Sequence, residues 1–127
     1  MDKKSELIVI TKSKDLCAYI ITATGKSPKQ FRFTFVSRLQ NLSLDMIEKI
    51  YYANELYIGK DSDSHKERLS LQHQALTTCK LIAYLSEMAM THKCILPKQY
   101  EQIAKQTTDC SRLIGAWINS DKKRMPS

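Results

Sequence analysis

The sequence contains few residues that interrupt helices and no long apolar run. Only three Gly and three Pro occur among 127 residues, which favours a few long helices over many short elements. The N-terminal segment has four consecutive apolar residues, 7–10, before charged residues return. Such a run is too short for a signal peptide or a membrane span. We therefore predict a single cytoplasmic domain over 1–127 that has no membrane partner.

The cysteines lack the spacing of a metal site or a disulfide framework. The four Cys are Cys17, Cys79, Cys94 and Cys110, and no C-x-x-C pair occurs. All except Cys94 fall on or beside apolar helical stripes. A free Cys in such a position behaves as a small hydrophobe. We interpret them as reduced packing residues of a cytosolic protein.

Catalytic and cofactor motifs are also missing from the sequence. His65, His73 and His92 form neither an H-x-x-x-H nor an H-E-x-x-H motif, and no E-x-x-H pair indicates a di-iron bundle. The three Gly are isolated, so no Gly-rich phosphate loop is present. Nothing in the sequence places a Cys beside a His as a nucleophile pair. We predict that the protein is not an enzyme and has no metal or other cofactor.

The clearest pattern that is present is a helical stripe between residues 27 and 57. Its apolar positions advance by three or four residues, through Phe31, Phe35, Leu39, Leu42, Met46, Ile50, Ala53 and Tyr57. That period belongs to one face of a helix. Ser27 and Gln30 have capping-box spacing around Pro28, which marks the start. The pattern predicts one uninterrupted helix over 28–57, about 45 Å long.

The same spacing predicts three further helices, over 6–24, 64–91 and 97–119. Gly25 is predicted to be the left-handed C-cap of the first helix, and Pro97 to open the last. A polar, basic tail over 120–127 is expected to fray. The spacing leaves open whether the apolar residues 7–10 pack in their own bundle or on a neighbour.

Short connections make successive helices antiparallel. The predicted fold class is therefore all-α, an up-down-up-down antiparallel four-helix bundle formed by one domain. In this topology the connection between helices one and two lies at the same end as the connection between helices three and four.

Positive charge exceeds negative charge, with 20 Lys and Arg against 13 Asp and Glu and a net charge of +7. This excess favours a polyanionic partner such as nucleic acid. One end of the predicted bundle collects Lys26, Lys29, Arg32, Lys93 and Lys98. Further candidates lie on helix flanks and in the tail, namely Lys80, Lys105, Arg112, Lys122, Lys123 and Arg124. The alternative is that these residues form ordinary solvated faces of a basic bundle.

Most aromatic residues have core spacing, but four flank the main stripes: Phe33, Tyr51, Tyr52 and Tyr84. These four are candidates for a subunit interface. They are not interleaved with Arg as in base-stacking surfaces, which argues against that use.

Two segments resemble a known family. Residues 27–39 (SPKQFRFTFVSRL), together with 44–50 (LDMIEKI) and Ala53-Asn54, resemble the second helix of small bacterial four-helix-bundle proteins. This family includes proteins encoded in intervening sequences of large-subunit ribosomal RNA genes. It also includes the accessory variability determinant (Avd) of diversity-generating retroelements. Residues 112–118 (RLIGAWI) resemble the end of the last helix in the Avd branch.

The resemblance implies a barrel-like homopentamer that binds RNA or DNA and a reverse transcriptase. It also implies that the protein has no active site and supports error-prone cDNA synthesis by the polymerase. In this role the basic residues contact phosphate or polymerase. The alternative for Arg32 and Arg38 is a structural role, because both lie beside core positions. Two other functions remain open. One is a ribosomal RNA intervening-sequence-type bundle of unknown role, and the other is a pure protein–protein interaction bundle.

Overall fold

The computed structural model describes residues 3–56 and 62–124, with side chains over 8–56 and 63–124. Four α-helices follow one another, and no strand occurs in these ranges. The bounds are Lys3–Thr24 for α1, Ser37–Glu55 for α2, Ser62–Thr91 for α3 and Pro97–Arg124 for α4.

The four helices pack as a closed square. α2 lies against α1 and α3, and α4 lies against α3 and α1. At one end, Arg68 near the start of α3 contacts Asp121 near the end of α4. At the other, Tyr100 near the start of α4 donates a hydrogen bond to Glu87 near the end of α3. Neighbouring helices are therefore antiparallel, and the predicted up-down-up-down bundle is confirmed.

The buried face of α1 begins at Val9, the second residue of the helix whose side chain is described. Its buried seam advances by three or four residues, through Val9, Ser13, Leu16, Ile20 and Ala23. Val9 and Ile10 belong to the core of their own bundle, which resolves the question that the sequence left open for these two residues. The side chain of Leu7 lies outside the described ones. The helical spacing of the sequence places Ile21 beside this buried seam, but its side chain is 48% exposed.

The second helix begins less regularly than predicted. A 3₁₀ turn over Lys29–Phe31 and a π-helical turn over Arg32–Val36 precede α2. The predicted capping box does not form, because Pro28 occupies the N-cap position and no side chain caps the 3₁₀ turn. The Ser27 hydroxyl instead donates a hydrogen bond to the Cys94 carbonyl, 2.7 Å away. A tertiary contact therefore replaces the local cap.

The core stripe of α2 is largely as predicted. Leu39, Met46, Ile50 and Ala53 are buried, and Phe31, Phe35 and Leu42 are partly buried against the same core. The α-helix ends at Glu55, and Leu56 is extended. Tyr57, the last predicted stripe position, lies outside the described residues.

The buried seam of α3 differs in part from the apolar pattern. It runs through Arg68, Gln72, Ala75, Cys79, Ile82, Ser86 and Ala89. The apolar spacing of the sequence predicts that Leu81 and Met88 widen the buried stripe, but they are 45% and 36% exposed, so this prediction is wrong. Three polar side chains occupy seam positions that an apolar pattern does not indicate.

α4 begins at Pro97, as predicted, and its stripe from Ile103 to Trp117 is buried. It continues to Arg124 rather than ending at residue 119. The expected frayed tail is wrong for residues 120–124, because Asp121 is fully buried and pairs with Arg68. Residues 125–127 lie outside the described part of the chain.

Candidate nucleic-acid interface

The two helix connections at one end of the bundle are joined directly. The hydrogen bond from Ser27 to Cys94 links the α1–α2 connection to the α3–α4 connection. Phe35 and His92 stack across the same junction with ring centroids 5.7 Å apart. We call this end of the bundle the basic end, defined by five exposed side chains: Lys26, Lys29, Arg32, Lys93 and Lys98.

Lys26 and Lys93 line one cleft at the basic end. The cleft has a volume of about 250 Å³ and an apolar floor that includes Ala23, Ile95 and Leu96. None of the described residues that line it is acidic. Residues 67 positions apart in sequence therefore present two ammonium groups to the same space.

Lys93 has a left-handed backbone, with φ of 64°, whereas no described Gly does. The predicted left-handed cap at Gly25 is therefore wrong. The end of α3 forms a Schellman motif, in which the Cys94 amide donates to the Ala89 carbonyl at 2.8 Å and the Lys93 amide to Met90 at 3.0 Å. Gly is the usual residue at the left-handed position of this motif. A Lys there combines a sterically disfavoured backbone with an exposed charge.

Carboxylates are also present near the basic end. Glu87 accepts a hydrogen bond from the Tyr100 hydroxyl at 3.3 Å, and Glu101 is exposed on the first turns of α4. Burial and the Glu87 carboxylate raise the pKa of Tyr100. Neither carboxylate forms an ion pair with the five basic side chains, whose ammonium and guanidinium groups have no ion-pair partner among the described residues.

The flank candidates are exposed but dispersed. Lys80 lies on the outer face of α3, and Arg112 lies on α4. Lys105 lines a groove of about 190 Å³ together with Lys12, Asp15 and Asp109. Its two lysines and two carboxylates balance in charge, whereas none of the described residues that line the cleft at the basic end is acidic.

The C-terminal candidates lie at the opposite end of the bundle, on the last turn of α4. Lys122 and Lys123 are exposed. Arg124 donates a hydrogen bond to the Asp121 carboxylate at 2.7 Å, so part of its charge is used within the fold. These residues therefore lie apart from the basic end.

Asp121 is the centre of a buried polar network that the sequence analysis missed. Its carboxylate accepts hydrogen bonds from Arg68 at 2.7 Å and Gln72 at 2.8 Å. Arg68 also donates to the Leu56 carbonyl at 2.9 Å and lies 5.1 Å from the Trp117 ring. Apolar periodicity does not reveal buried polar residues. The pairing of Arg68 with Asp121 is also hidden because the two residues are 53 positions apart in sequence.

Burial by itself raises the pKa of Asp121. Hydrogen bonds from Arg68, Arg124 and Gln72, with the charge of Arg68, outweigh that effect and lower the pKa below its ordinary value. The carboxylate is therefore ionised in the folded protein at neutral pH. The network connects the ends of α2 and α4 to the start of α3.

The cysteines pack in the interior as expected. All four are free and buried. Burial raises the pKa of Cys79 to about 12 and that of Cys110 to about 11, and it also raises the pKa of Cys94. Because the thiolate is the nucleophile, these three thiols are unreactive at neutral pH.

Within the described ranges, no group of three or more His, Cys, Asp and Glu side chains has the arrangement of a metal site. None of the helices described is long and apolar enough to span a bilayer. The fold and surface thus define an all-α four-helix bundle that gathers five exposed cations at one end.

No protein family model and no curated protein matches the chain. A solved structure does match, that of a protein of unknown function from the S23 ribosomal protein family of Bacteroides thetaiotaomicron VPI-5482. The TM-score is 0.73 at 16% sequence identity, and the match covers 91% of this chain and 98% of that chain. At this identity the likeness shows a shared fold.

Proposed function

We propose that this protein binds nucleic acid without catalysing a reaction, and that the basic end is its main contact surface. The supporting observation is the Ser27–Cys94 hydrogen bond, which holds Lys26 and Lys93 at one cleft. Lys and Arg contacts to phosphates provide affinity without reading sequence. Selectivity for a particular nucleic acid then comes from its shape or from a protein partner.

Local charge density supports the basic end over the other basic surfaces. It gathers five exposed cations, and none of the described residues that line its cleft is acidic. By contrast, Lys105 shares its groove with two carboxylates, and Arg124 is bonded to Asp121. An unpaired cation releases condensed counterions from nucleic acid when it contacts a phosphate. A paired cation must first give up its carboxylate.

The test is a charge-reversal variant in which Lys26, Lys29, Lys93 and Lys98 are all replaced by Glu. Wild-type protein is expected to bind labelled single-stranded RNA with a log–log salt slope of about −3 if four phosphates are contacted. The variant is expected to lose most of this affinity and slope, because the contacts are removed and reversed. Fluorescence anisotropy between about 50 and 200 mM salt measures both quantities.

A matched control separates the position of the charges from their number. Replacing Lys12, Lys14, Lys49 and Lys66 with Glu gives the same net charge but leaves the basic end intact. This control is expected to retain most of the affinity. Equal weakening in both variants would contradict a localised site, and absence of wild-type binding at low salt would contradict the proposed function.

We further propose that the nucleic-acid partner is the template RNA or cDNA of a diversity-generating retroelement. On this proposal the protein is an accessory factor that forms a homopentamer and binds the element's reverse transcriptase. It is supported by the resemblance of residues 27–39, 44–50 and 53–54 to the family as a whole, and of residues 112–118 to its Avd branch. A reverse-transcriptase gene beside the reading frame and co-purification of its product are expected; absence of both would contradict the retroelement role.

A second candidate function is a ribosomal RNA intervening-sequence-type bundle that associates with ribosomal RNA. It is supported by the structural similarity to a protein from the S23 ribosomal protein family. Co-sedimentation with ribosomes, in the absence of a reverse-transcriptase partner, would favour this candidate. Both candidates share nucleic-acid binding at the basic end. A third, a pure protein–protein interaction bundle, predicts no nucleic-acid binding.

A further inference from the structure

Phe33 is exposed to an unusual degree for a large apolar side chain. Its relative exposure is 85%, the highest among the large hydrophobic residues described. The neighbouring Phe31 and Phe35 are partly buried and their rings lie 5.8 Å apart. Phe33 is therefore excluded from the aromatic packing on either side of it, and its exposed ring does not stabilise the bundle core.

A π-helical turn holds Phe33 in this position. The turn spans Arg32–Val36, and the Ser37 amide donates to the Arg32 carbonyl with i→i+5 connectivity. Within the turn, Phe35 stacks on His92 of the α3–α4 connection. Since residues two apart on a helix face nearly opposite sides, this inward contact directs Phe33 outward. π-helical turns are rare and are often found at functional sites.

Phe33 borders an open groove of about 340 Å³ on the surface of α2. The other residues that line this groove are Ser37, Arg38, Asn41, Leu42 and Asp45. Phe33, Ser37, Asn41 and Asp45 are separated by four residues each, so they follow one side of the helix. The groove therefore has an exposed aromatic ring at one end, and polar side chains lie beyond it along the helix.

The polar side chains of the groove retain hydrogen-bonding capacity. Asn41 donates only a long hydrogen bond of 3.5 Å, to Ser37. Asp45 and Arg38 are exposed and form no ion pair within the described residues. An amide both donates and accepts, and a carboxylate accepts hydrogen bonds from an amino group. These are the groups that recognise the edge of an unpaired base.

Arg32 and Arg38 lie on either side of Phe33 in sequence, and both are exposed. Neither guanidinium group forms a hydrogen bond or ion pair with a described residue, so no side-chain contact supports the structural role considered for them. In the sequence, the aromatic residues that flank the main stripes are not interleaved with Arg, which argues against base stacking. At Phe33 the structure combines an exposed ring with two free guanidinium groups.

We propose that this groove is a subsite for a single unpaired nucleotide. The base stacks on Phe33, its edge faces Asn41 and Asp45, and Arg32 and Arg38 contact the adjacent phosphates. Base stacking on an aromatic side chain requires a free base face, which a duplex does not offer. The inference rests on the proposed nucleic-acid binding and adds a preference for single-stranded over double-stranded partners.

The test compares Phe33→Ala with wild type on three probes. These are a short single-stranded RNA, the same strand made abasic, and a duplex of equal length. Phe33→Ala is expected to weaken single-strand binding about tenfold and to leave binding of the duplex and abasic strand unchanged. Phe33→Trp is expected to retain wild-type affinity, because its ring still stacks.

Tyr84→Ala is the matched control, since Tyr84 is 65% exposed on α3. It is expected to bind all three probes as wild type does, and circular dichroism checks that each variant is folded. Wild-type binding with no loss in Phe33→Ala would overturn the subsite while leaving the proposed function intact. A lower mass of Phe33→Ala in light scattering, with unchanged affinity, would also overturn it and assign Phe33 to a contact between copies.

Discussion

At the scale of single residues, Asp121 is a buried carboxylate that links α4 to α3. It is fully buried and accepts hydrogen bonds from Arg68, Gln72 and Arg124. A buried ion pair adds little net stability relative to apolar residues, but removing one partner leaves a buried charge with less compensation. The cost of losing Asp121 therefore comes mainly from leaving the Arg68 charge buried without its partner, and less from the pairing energy itself.

Replacement of Asp121 by Asn is expected to lower the free energy of unfolding by about 3 kcal/mol at neutral pH. Because the folded pKa of Asp121 is lowered, its contribution is fully present above the unfolded pKa of about 3.9. It is lost as the pH falls through the folded pKa. The difference between wild type and variant should therefore shrink below about pH 4. Urea unfolding followed by Trp117 fluorescence measures this difference.

The control for this experiment is Asp15→Asn, because Asp15 is exposed and forms no ion pair within the described chain. That variant should have nearly wild-type stability at neutral pH. A difference between wild type and Asp121→Asn that stays constant from neutral to strongly acidic pH would show that the carboxylate charge is not responsible.

At the scale of elements, the end of α3 combines a strained backbone with an exposed cation. The left-handed residue of its Schellman motif is Lys93, although Gly adopts this conformation without a steric penalty. Strained positions often occur where function requires a particular side chain. The side chain in this case is one of the two lysines of the cleft at the basic end.

Replacing Lys93 by Gly is expected to raise the free energy of unfolding by about 0.5 kcal/mol, since relief of strain exceeds the entropy cost of Gly. The same variant should bind single-stranded RNA more weakly, with a salt slope shallower by about 0.7. Chemical denaturation and salt-dependent anisotropy measure the two effects. A gain in stability and a loss of affinity in one variant would indicate a stability–function trade-off.

Lys93→Arg serves as the control because it keeps the charge and the strain. It should match wild type in both stability and salt slope. If Lys93→Gly bound RNA with the wild-type slope, Lys93 would not contact phosphate, and the basic end would have to act through its other four cations.

For the whole molecule, two exposed apolar residues on neighbouring helices are candidates for a contact between copies of the chain. Thr24 contacts Gln40 at 2.9 Å, and the Lys14 ammonium lies 5.6 Å from the Tyr51 ring centroid. This antiparallel register of α1 and α2 places Ile21 level with Leu44, which are 48% and 49% exposed. Ile21 and Leu44 therefore form an exposed apolar pair beside the contact between α1 and α2.

The proposed homopentamer predicts a mass well above 14.6 kDa in light scattering. Leu44→Glu is expected to reduce the mass to that of a monomer, because a charge would be buried between copies. Leu81→Glu, at a 45% exposed position on α3, is the control and should keep the wild-type mass. A monomeric wild-type protein would contradict the oligomer but not the bundle.

The sequence predicted the architecture well because helical periodicity is a local property. The stripe from Ile103 to Trp117 and the stripe of α2 are buried as expected, and Pro97 begins α4. The start of α2 was not predicted correctly, since Ser27 has an alternative acceptor that only the folded chain supplies. The polar seam residues Arg68 and Gln72 were missed because apolar periodicity does not indicate buried polar residues.

The sequence by itself determined the number, order and antiparallel arrangement of the helices, since these follow from local periodicity and short connections. The tertiary structure alone decided which cations remain unpaired, which aromatic ring is exposed and which carboxylate is buried. Those properties depend on residues distant in sequence, such as Ser27 with Cys94 and Arg68 with Asp121. Electrostatic pairing and solvent exposure are set by such contacts across the bundle, and spacing along one helix does not specify them.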